Sequence, residues 1–220
     1  MKLKPNKKLS QNFLIDKNII RKITETVPIN NESEILEIGA GTGNLTEFLI
    51  NKKPKQIYLV EKDKNLFKVL KSKFGDKIEI FNEDILKFSR NNILSNNSII
   101  FGNLPYNISS QILVKLSLLK TVPDVLILMF QKEFAMRMMD NKLNSINSLV
   151  RCFYSIKQNF HVSKNCFRPI PKVDSTVLTF KKINESLIKR KEIEDFILFK
   201  RKLFSQKRKS LKKILKNYYL

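Results

Sequence analysis

The stretch Gly102-Asn103-Leu104-Pro105-Tyr106 carries the most specific chemistry in the chain. The Asn103 side-chain oxygen and the Leu104 carbonyl are two acceptors on adjacent residues, enough to hold both hydrogens of an exocyclic amine. Such an amine is a poor nucleophile while its lone pair is delocalised into an aromatic ring. Held by two acceptors, it can turn that lone pair toward an electrophilic carbon without a strong base. The help is orientation, together with stabilisation of the positive charge that grows on nitrogen. Pro105 stiffens the turn, and Tyr106 offers a π-face for a flat base and for the developing cation. A base whose amine reacts this way must be unpaired or flipped out, because a duplex buries it. In isolation the segment also fits a plain turn after a strand, with Tyr106 plugging the core.

A second loop, Glu37-Ile38-Gly39-Ala40-Gly41-Thr42-Gly43, holds three of the five glycines in the whole chain. A chain so poor in glycine keeps it where a tight turn or a close approach of backbone to ligand tolerates no side chain. A glycine loop between a strand and a helix suits a nucleotide-like molecule, and the helix N-terminus favours anionic groups. The spacing is G-x-G-x-G, not the G-x-G-x-x-G of a dinucleotide site. Glu61 ends the next strand, roughly 20 residues on, where a carboxylate can take both ribose hydroxyls. Asp84 follows the third strand and can accept from an adenine amino group. A carboxylate at one strand end is ordinarily a helix cap; three features in this order point to a nucleoside site.

These loops need strands to hold them. Apolar runs at Ile35–Ile38, Gln56–Val60, Lys77–Phe81, Ser98–Phe101 and Val125–Phe130 read as buried strands. Helical spacing covers Asp16–Val27, Thr42–Asn51, Lys64–Phe74 and Ser109–Leu119. Strands alternating with helices imply a parallel sheet covered on both faces. Cys152–Phe160 and Ser175–Lys181 read as two further strands with no clear helix between them, which predicts an antiparallel edge. From Ile183 onward the chain reads as helical, with a packing face at Leu198, Leu203, Phe204, Leu211, Ile214 and Leu215.

The net charge is +22 in 220 residues, far beyond what solubility requires. Such an excess favours a polyanionic partner, since each phosphate contact releases counterions. Residues 181–220 concentrate it, with 14 Lys/Arg against 4 Asp/Glu. Part of the excess fits the drift of a Lys-, Asn-, Ile- and Phe-rich composition, and the tail also reads as a solvated helix without a partner. Two cysteines and one histidine supply neither a disulfide framework nor a four-ligand zinc site, so no metal is expected. No stretch approaches the roughly 20 apolar residues of a membrane helix. Met1–Lys8 is basic but lacks the apolar run of a secretory signal, so a cytoplasmic protein is expected.

Glycine loop, ribose acid and adenine acid at successive strand ends resemble the class I S-adenosylmethionine-dependent methyltransferases. The resemblance sharpens across four segments: Lys8-Leu9-Ser10-Gln11-Asn12-Phe13-Leu14, Gly102–Ser109, Gln131-Lys132-Glu133 and Phe167–Ser175. Together they look like the KsgA-type 16S ribosomal RNA adenine dimethyltransferases, from about Lys7 to Phe180. That likeness implies an α/β, Rossmann-like sheet, mostly parallel with an antiparallel edge, plus a small C-terminal helical appendage. It implies a catalytic domain over 1–182, in which residues 1–30 contribute to the cofactor site, and a basic remnant over 183–220. It implies S-adenosyl-L-methionine held by Gln11, Asn12, Leu14, Gly39, Gly41, Glu61, Lys62, Asp84, Ile85 and Asn103. Asn103, Leu104, Pro105 and Tyr106 would be catalytic, with Phe167 facing Tyr106 across the base as an aromatic clamp. The implied partner is 16S rRNA of the small ribosomal subunit precursor, with two adjacent adenosines near its 3′ end as targets and the enzyme a monomer. Leu203–Leu211 is similar to the opening of the family's small helical domain, of which little follows before Leu220, and that puts subunit docking rather than chemistry in doubt. A 23S rRNA methyltransferase of the macrolide-resistance type and a non-catalytic RNA-binding assembly factor are the alternative readings.

Overall fold

The computed structural model describes residues 11–75, 77–89, 95, 97–205 and 210–215. Met1–Lys8, Leu9 and Ser10 of the expected N-terminal segment, and residues 206–209 of the C-terminal one, lie outside the described residues.

In chain order the elements are β1 (Phe13–Leu14), α1 (Lys17–Thr24), β2 (Glu34–Ile38), α2 (Asn44–Asn51), β3 (Gln56–Val60), α3 (Lys64–Phe74) and β4 (Glu79–Phe81). There follow β5 (Ser98–Asn103), α4 (Ser109–Ser117), β6 (Val125–Gln131), α5 (Lys132–Met139), α6 (Asn147–Val150), β7 (Tyr154–Val162), β8 (Phe167–Arg168), β9 (Ser175–Lys182), α7 (Ile193–Ser205) and α8 (Leu211–Leu215). Seven strands form one sheet in the order β4-β3-β2-β5-β6-β9-β7. The first five run parallel, and β9 pairs antiparallel with both β6 and β7.

Strand alternation splits the apolar side chains between two faces. Leu36, Ile38, Ile100, Leu126, Leu128 and Phe130 pack on one side with Ile112, Leu113 and Leu116 of α4. Ile35, Phe101, Ile127 and Met129 pack on the other with Ile20 and Ile23 of α1, Leu45 and Leu49 of α2, and Leu70 and Phe74 of α3. Burial on both faces explains why β5 and β6 read as near-continuous apolar runs. Two helices start on aspartate caps: Asp16 accepts from the Asn18 and Ile19 amides, and Asp63 from those of Asn65 and Leu66.

The structure departs from the sequence reading in three places. α5 and α6, with a turn between them, occupy residues 132–150, a stretch without a clear period. Side chains close it instead: Arg151 and Asn147 donate to the carbonyls that end α5, among them Arg137, Met138 and Asp140. Cys152 and Phe153 form a buried turn, and β7 starts at Tyr154. The chain from Ile183 is not helical at once, because the Ile183 and Leu187 amides bond to the Phe153 and Cys152 carbonyls. These bonds hold it against the Cys152–Phe153 turn, and helical backbone begins only with the 3-10 turn Arg190–Glu192 that leads into α7 at Ile193.

Candidate active site

Parallel strands deliver their C-terminal ends to one rim, and the antiparallel β9 brings its first residue, Ser175, to the same rim beside Gln131. In register, Ile38 lies next to both Val60 and Gly102. The glycine loop, the acid after β3 and the loop after β5 therefore meet by topology alone. One cavity at this rim is lined by Gln11, Asn12, Leu14, Gly39, Gly41, Glu61, Lys62, Asp84, Ile85, Asn103, Leu104, Pro105 and Tyr106.

The glycine loop is built from left-handed backbone, with φ of 70° at Gly39, 59° at Gly41 and 80° at Gly43. Gly43 is also a steric necessity, since a Cβ there would stand 2.5 Å from the Phe74 ring. Glu61 ties this loop down. The residue is 6% exposed, and its two carboxylate oxygens accept from the Gly41 amide at 3.0 Å and the Asp63 amide at 2.9 Å. Burial raises its pKa above the ordinary carboxylate value, while those amide bonds pull the other way. Asp84 behaves oppositely: Lys62 Nζ at 2.9 Å and the Leu86 amide hold its pKa down. Each carboxylate oxygen has further lone pairs with which to accept from a ligand hydroxyl or amine.

On the other side of the cavity, Asn103 Nδ2 donates to the Asn12 carbonyl at 3.0 Å. A carbonyl only accepts, so this bond settles which end of the amide is nitrogen and leaves Oδ1 as its acceptor end. Tyr106 is half-buried, and its hydroxyl lies 2.6 Å from Ser175 Oγ. Phe167 is placed elsewhere. It has no exposed surface, packs in the core with Leu14, and does not line the cavity. The antiparallel pairing of β8 with β1, Leu14 opposite Phe167, holds it there. In this structure it forms no clamp with Tyr106.

Residues 2–220 match the family model described as ribosomal RNA adenine dimethylase. The chain belongs to that family. It is similar to the Ribosomal RNA small subunit methyltransferase A of Pelagibacter ubique, with 43% identity across 97% of this chain and 83% of the relative. Among solved structures, a dimethyladenosine transferase from Plasmodium falciparum superposes with a TM-score of 0.82 at 29% identity, covering 93% of this chain and 74% of that one. The 23S rRNA methyltransferase ErmE shares the fold, with a TM-score of 0.75 at 24% identity over 94% of this chain and 84% of its own.

In this adenine dimethylase the rim also enlists residues that sequence reasoning passed over. Glu37, noted only as preceding the glycines, lines the cavity and is 2% exposed. Thr46 donates to it at 2.7 Å, and burial pushes its carboxyl up to about 8. Asn44 donates to the Leu14 carbonyl at 2.8 Å, tying α2 to the N-terminal segment. Lys115 reaches from α4 to the Leu86 and Phe88 carbonyls, which bracket the turn after Asp84. The sequence carries a signal for Glu37, an acid beside a glycine loop; the other contacts join distant segments.

Proposed function

We propose that the chain transfers methyl groups from S-adenosylmethionine to the N6 amine of adenosines in small-subunit ribosomal RNA. Two adjacent adenosines near the RNA's 3′ end, each dimethylated, are the proposed targets, in support of subunit maturation by a cytoplasmic monomer. The observation that carries this reading is the Asn103 amide, oriented by the Asn12 carbonyl and opening on the same cavity as the glycine loop.

The cavity's donor set fits the cofactor. Bare backbone at Gly39 and Gly41 suits a close-lying amino-acid tail, the Glu61 carboxylate suits the two ribose hydroxyls, and Asp84 beside apolar Ile85 suits an adenine. Gln11, Asn12 and Leu14 line the same cavity, Asn12 against Asn103, and Lys62 holds the Asp84 pKa down. When bound, S-adenosylmethionine supplies an electrophilic methyl on a sulfonium. The chain's own part is to present the nucleophile. Asn103 Oδ1 and the Leu104 carbonyl accept the two amine hydrogens, which turns the nitrogen lone pair toward the carbon under attack. The Tyr106 ring carries the stacked base and favours the positive charge forming on nitrogen. Leu104 is 2% exposed, and a hydrogen bond made out of water counts for more than one made in it. The +22 charge supplies the sequence-independent attraction for RNA.

Purified small and large ribosomal subunits, each incubated with the protein and methyl-labelled cofactor, test this reading. Label is expected in small-subunit RNA and should digest to N6,N6-dimethyladenosine by mass spectrometry. Label confined to large-subunit RNA would move the enzyme to the macrolide-resistance type. RNA binding without label would make it an assembly factor.

A further inference from the structure

Tyr106 is anchored at both ends. Its carbonyl accepts from Ser109 Oγ at 3.1 Å at the start of α4, and its phenol oxygen meets Ser175 Oγ at 2.6 Å. Ser175 lies 69 residues away in sequence and is fully buried. Its backbone is fixed from two sides, paired with Gln131 on β6 and Val162 on β7. The serine side chain has one torsion, so its hydroxyl is held as firmly as the sheet itself.

An aromatic side chain on a loop has a soft degree of freedom, since rotation of the ring about its bond to Cβ is broad. Pro105 stiffens the backbone but leaves that rotation alone. The phenol oxygen lies on that axis, but conjugation keeps its O–H in the ring plane, so when it donates to Ser175 Oγ the ring angles that hold Oγ near the plane are favoured. Burial raises the Tyr106 pKa, so the phenol keeps its proton at neutral pH and can donate to Ser175. A flat base stacked on Tyr106 takes the plane of the ring, and that plane decides whether its amine meets the acceptors of Asn103 and Leu104.

We infer that Ser175 is a positioning residue for methyl transfer, holding the Tyr106 ring in the plane at which a stacked adenine presents its amine to Asn103 and Leu104. This rests on the proposed function. It assigns to Ser175 work that neither its burial nor its place in the sheet requires.

Four proteins test it: wild type, Ser175→Ala, Tyr106→Phe and the double variant, assayed for steady-state methylation of small subunits and for melting temperature. Either single change removes the same bond, so each should lower kcat about 10-fold, the scale of one lost positioned hydrogen bond. The KM for cofactor should stay within about twofold, because the ring lies on the substrate side. The double variant should be no slower than either single one. Wild-type kcat in Tyr106→Phe overturns the inference, and so does a double variant whose loss is the product of the two single losses. A Ser175→Ala protein that melts early and loses turnover while Tyr106→Phe keeps it reduces Ser175 to packing. If Ser175→Ala does not fold, Tyr106→Phe decides alone. A wild-type protein that methylates neither subunit overturns the functional reading instead.

Discussion

At the sheet rim, Glu61 has both carboxylate oxygens committed to backbone amides, Asn103 is locked by a carbonyl, and Tyr106 is tethered at its tip. Beyond β9 the cations behave differently. Lys191, Arg201, Lys212 and Lys213 stand in solvent, while two basic side chains reach back to the sheet-bearing part of the chain. Arg190 donates to the Leu118, Leu119 and Lys120 carbonyls at the end of α4, and the buried Lys200 donates to the Ser145 carbonyl at 2.6 Å. The proposed alignment of an amine with a methyl depends on angles, and it would use groups that are interlocked and wholly or partly buried. Attraction to a phosphate backbone depends on charge density, and long solvated side chains suffice. One region should therefore fail abruptly when a single atom is removed, and the other gradually as charges are subtracted.

The largest effect on binding is expected from Glu61→Ala. It strips acceptors from the Gly41 and Asp63 amides and removes the ribose acid, so affinity for S-adenosylhomocysteine should fall roughly 30- to 100-fold by calorimetry. Wild-type affinity would show that the rim is not interlocked as described. For the appendage, a cut is best placed after Ser205, which spares Arg190 and Lys200. Deleting residues 206–220 removes Lys207, Arg208, Lys209, Lys212, Lys213 and Lys216. RNA affinity should weaken about 10-fold at low salt, with a shallower dependence of log affinity on log salt. An unchanged slope would return the tail to a solvated helix without a partner.

The smallest effect is one of pH. Burial lifts the Glu37 carboxyl from 4.5 to about 8, so the folded protein keeps a proton that the unfolded chain has lost. The stability contributed by the neutral carboxyl is complete below about pH 4.5 and is lost as pH rises toward about 8. Glu37→Gln should therefore melt higher than wild type at pH 8, with the gap closing as pH falls. Each kcal/mol corresponds to about 2–4 °C in a chain of this size. A gap that does not change with pH would show that Glu37 is ionised when folded.

The parallel sheet, its antiparallel edge and the rim loops were legible because their signals are local. Short apolar runs and period-3.6 patterns mark the elements, and glycine is so scarce that three in one loop cannot be incidental. Elsewhere the deciding contacts are long-range. Between Cys166 and a Pro-x-Pro segment, Phe167 reads as a rigid loop aromatic with core packing as the alternative, and pairing of β8 with β1, some 150 residues distant, decides for the core. The helix after Gln131 was missed because its end is closed by Asn147 and Arg151, not by a repeating apolar face. The late start of α7 depends on amides that bond back to Cys152 and Phe153. Lys115 carries no local mark at all, and Ser175 is marked only as the last residue of the Phe167–Ser175 segment.

The central claim is that catalysis consists of orienting an amine with Asn103 Oδ1 and the Leu104 carbonyl, and a single-turnover assay of Asn103→Ala tests it most directly. With cofactor and small subunits saturating, methyl transfer should fall by about 100-fold or more, the scale of losing one positioned polar group in a transition state. Dissociation constants for cofactor and RNA should remain within about twofold of wild type. Transfer at the wild-type rate would contradict the account.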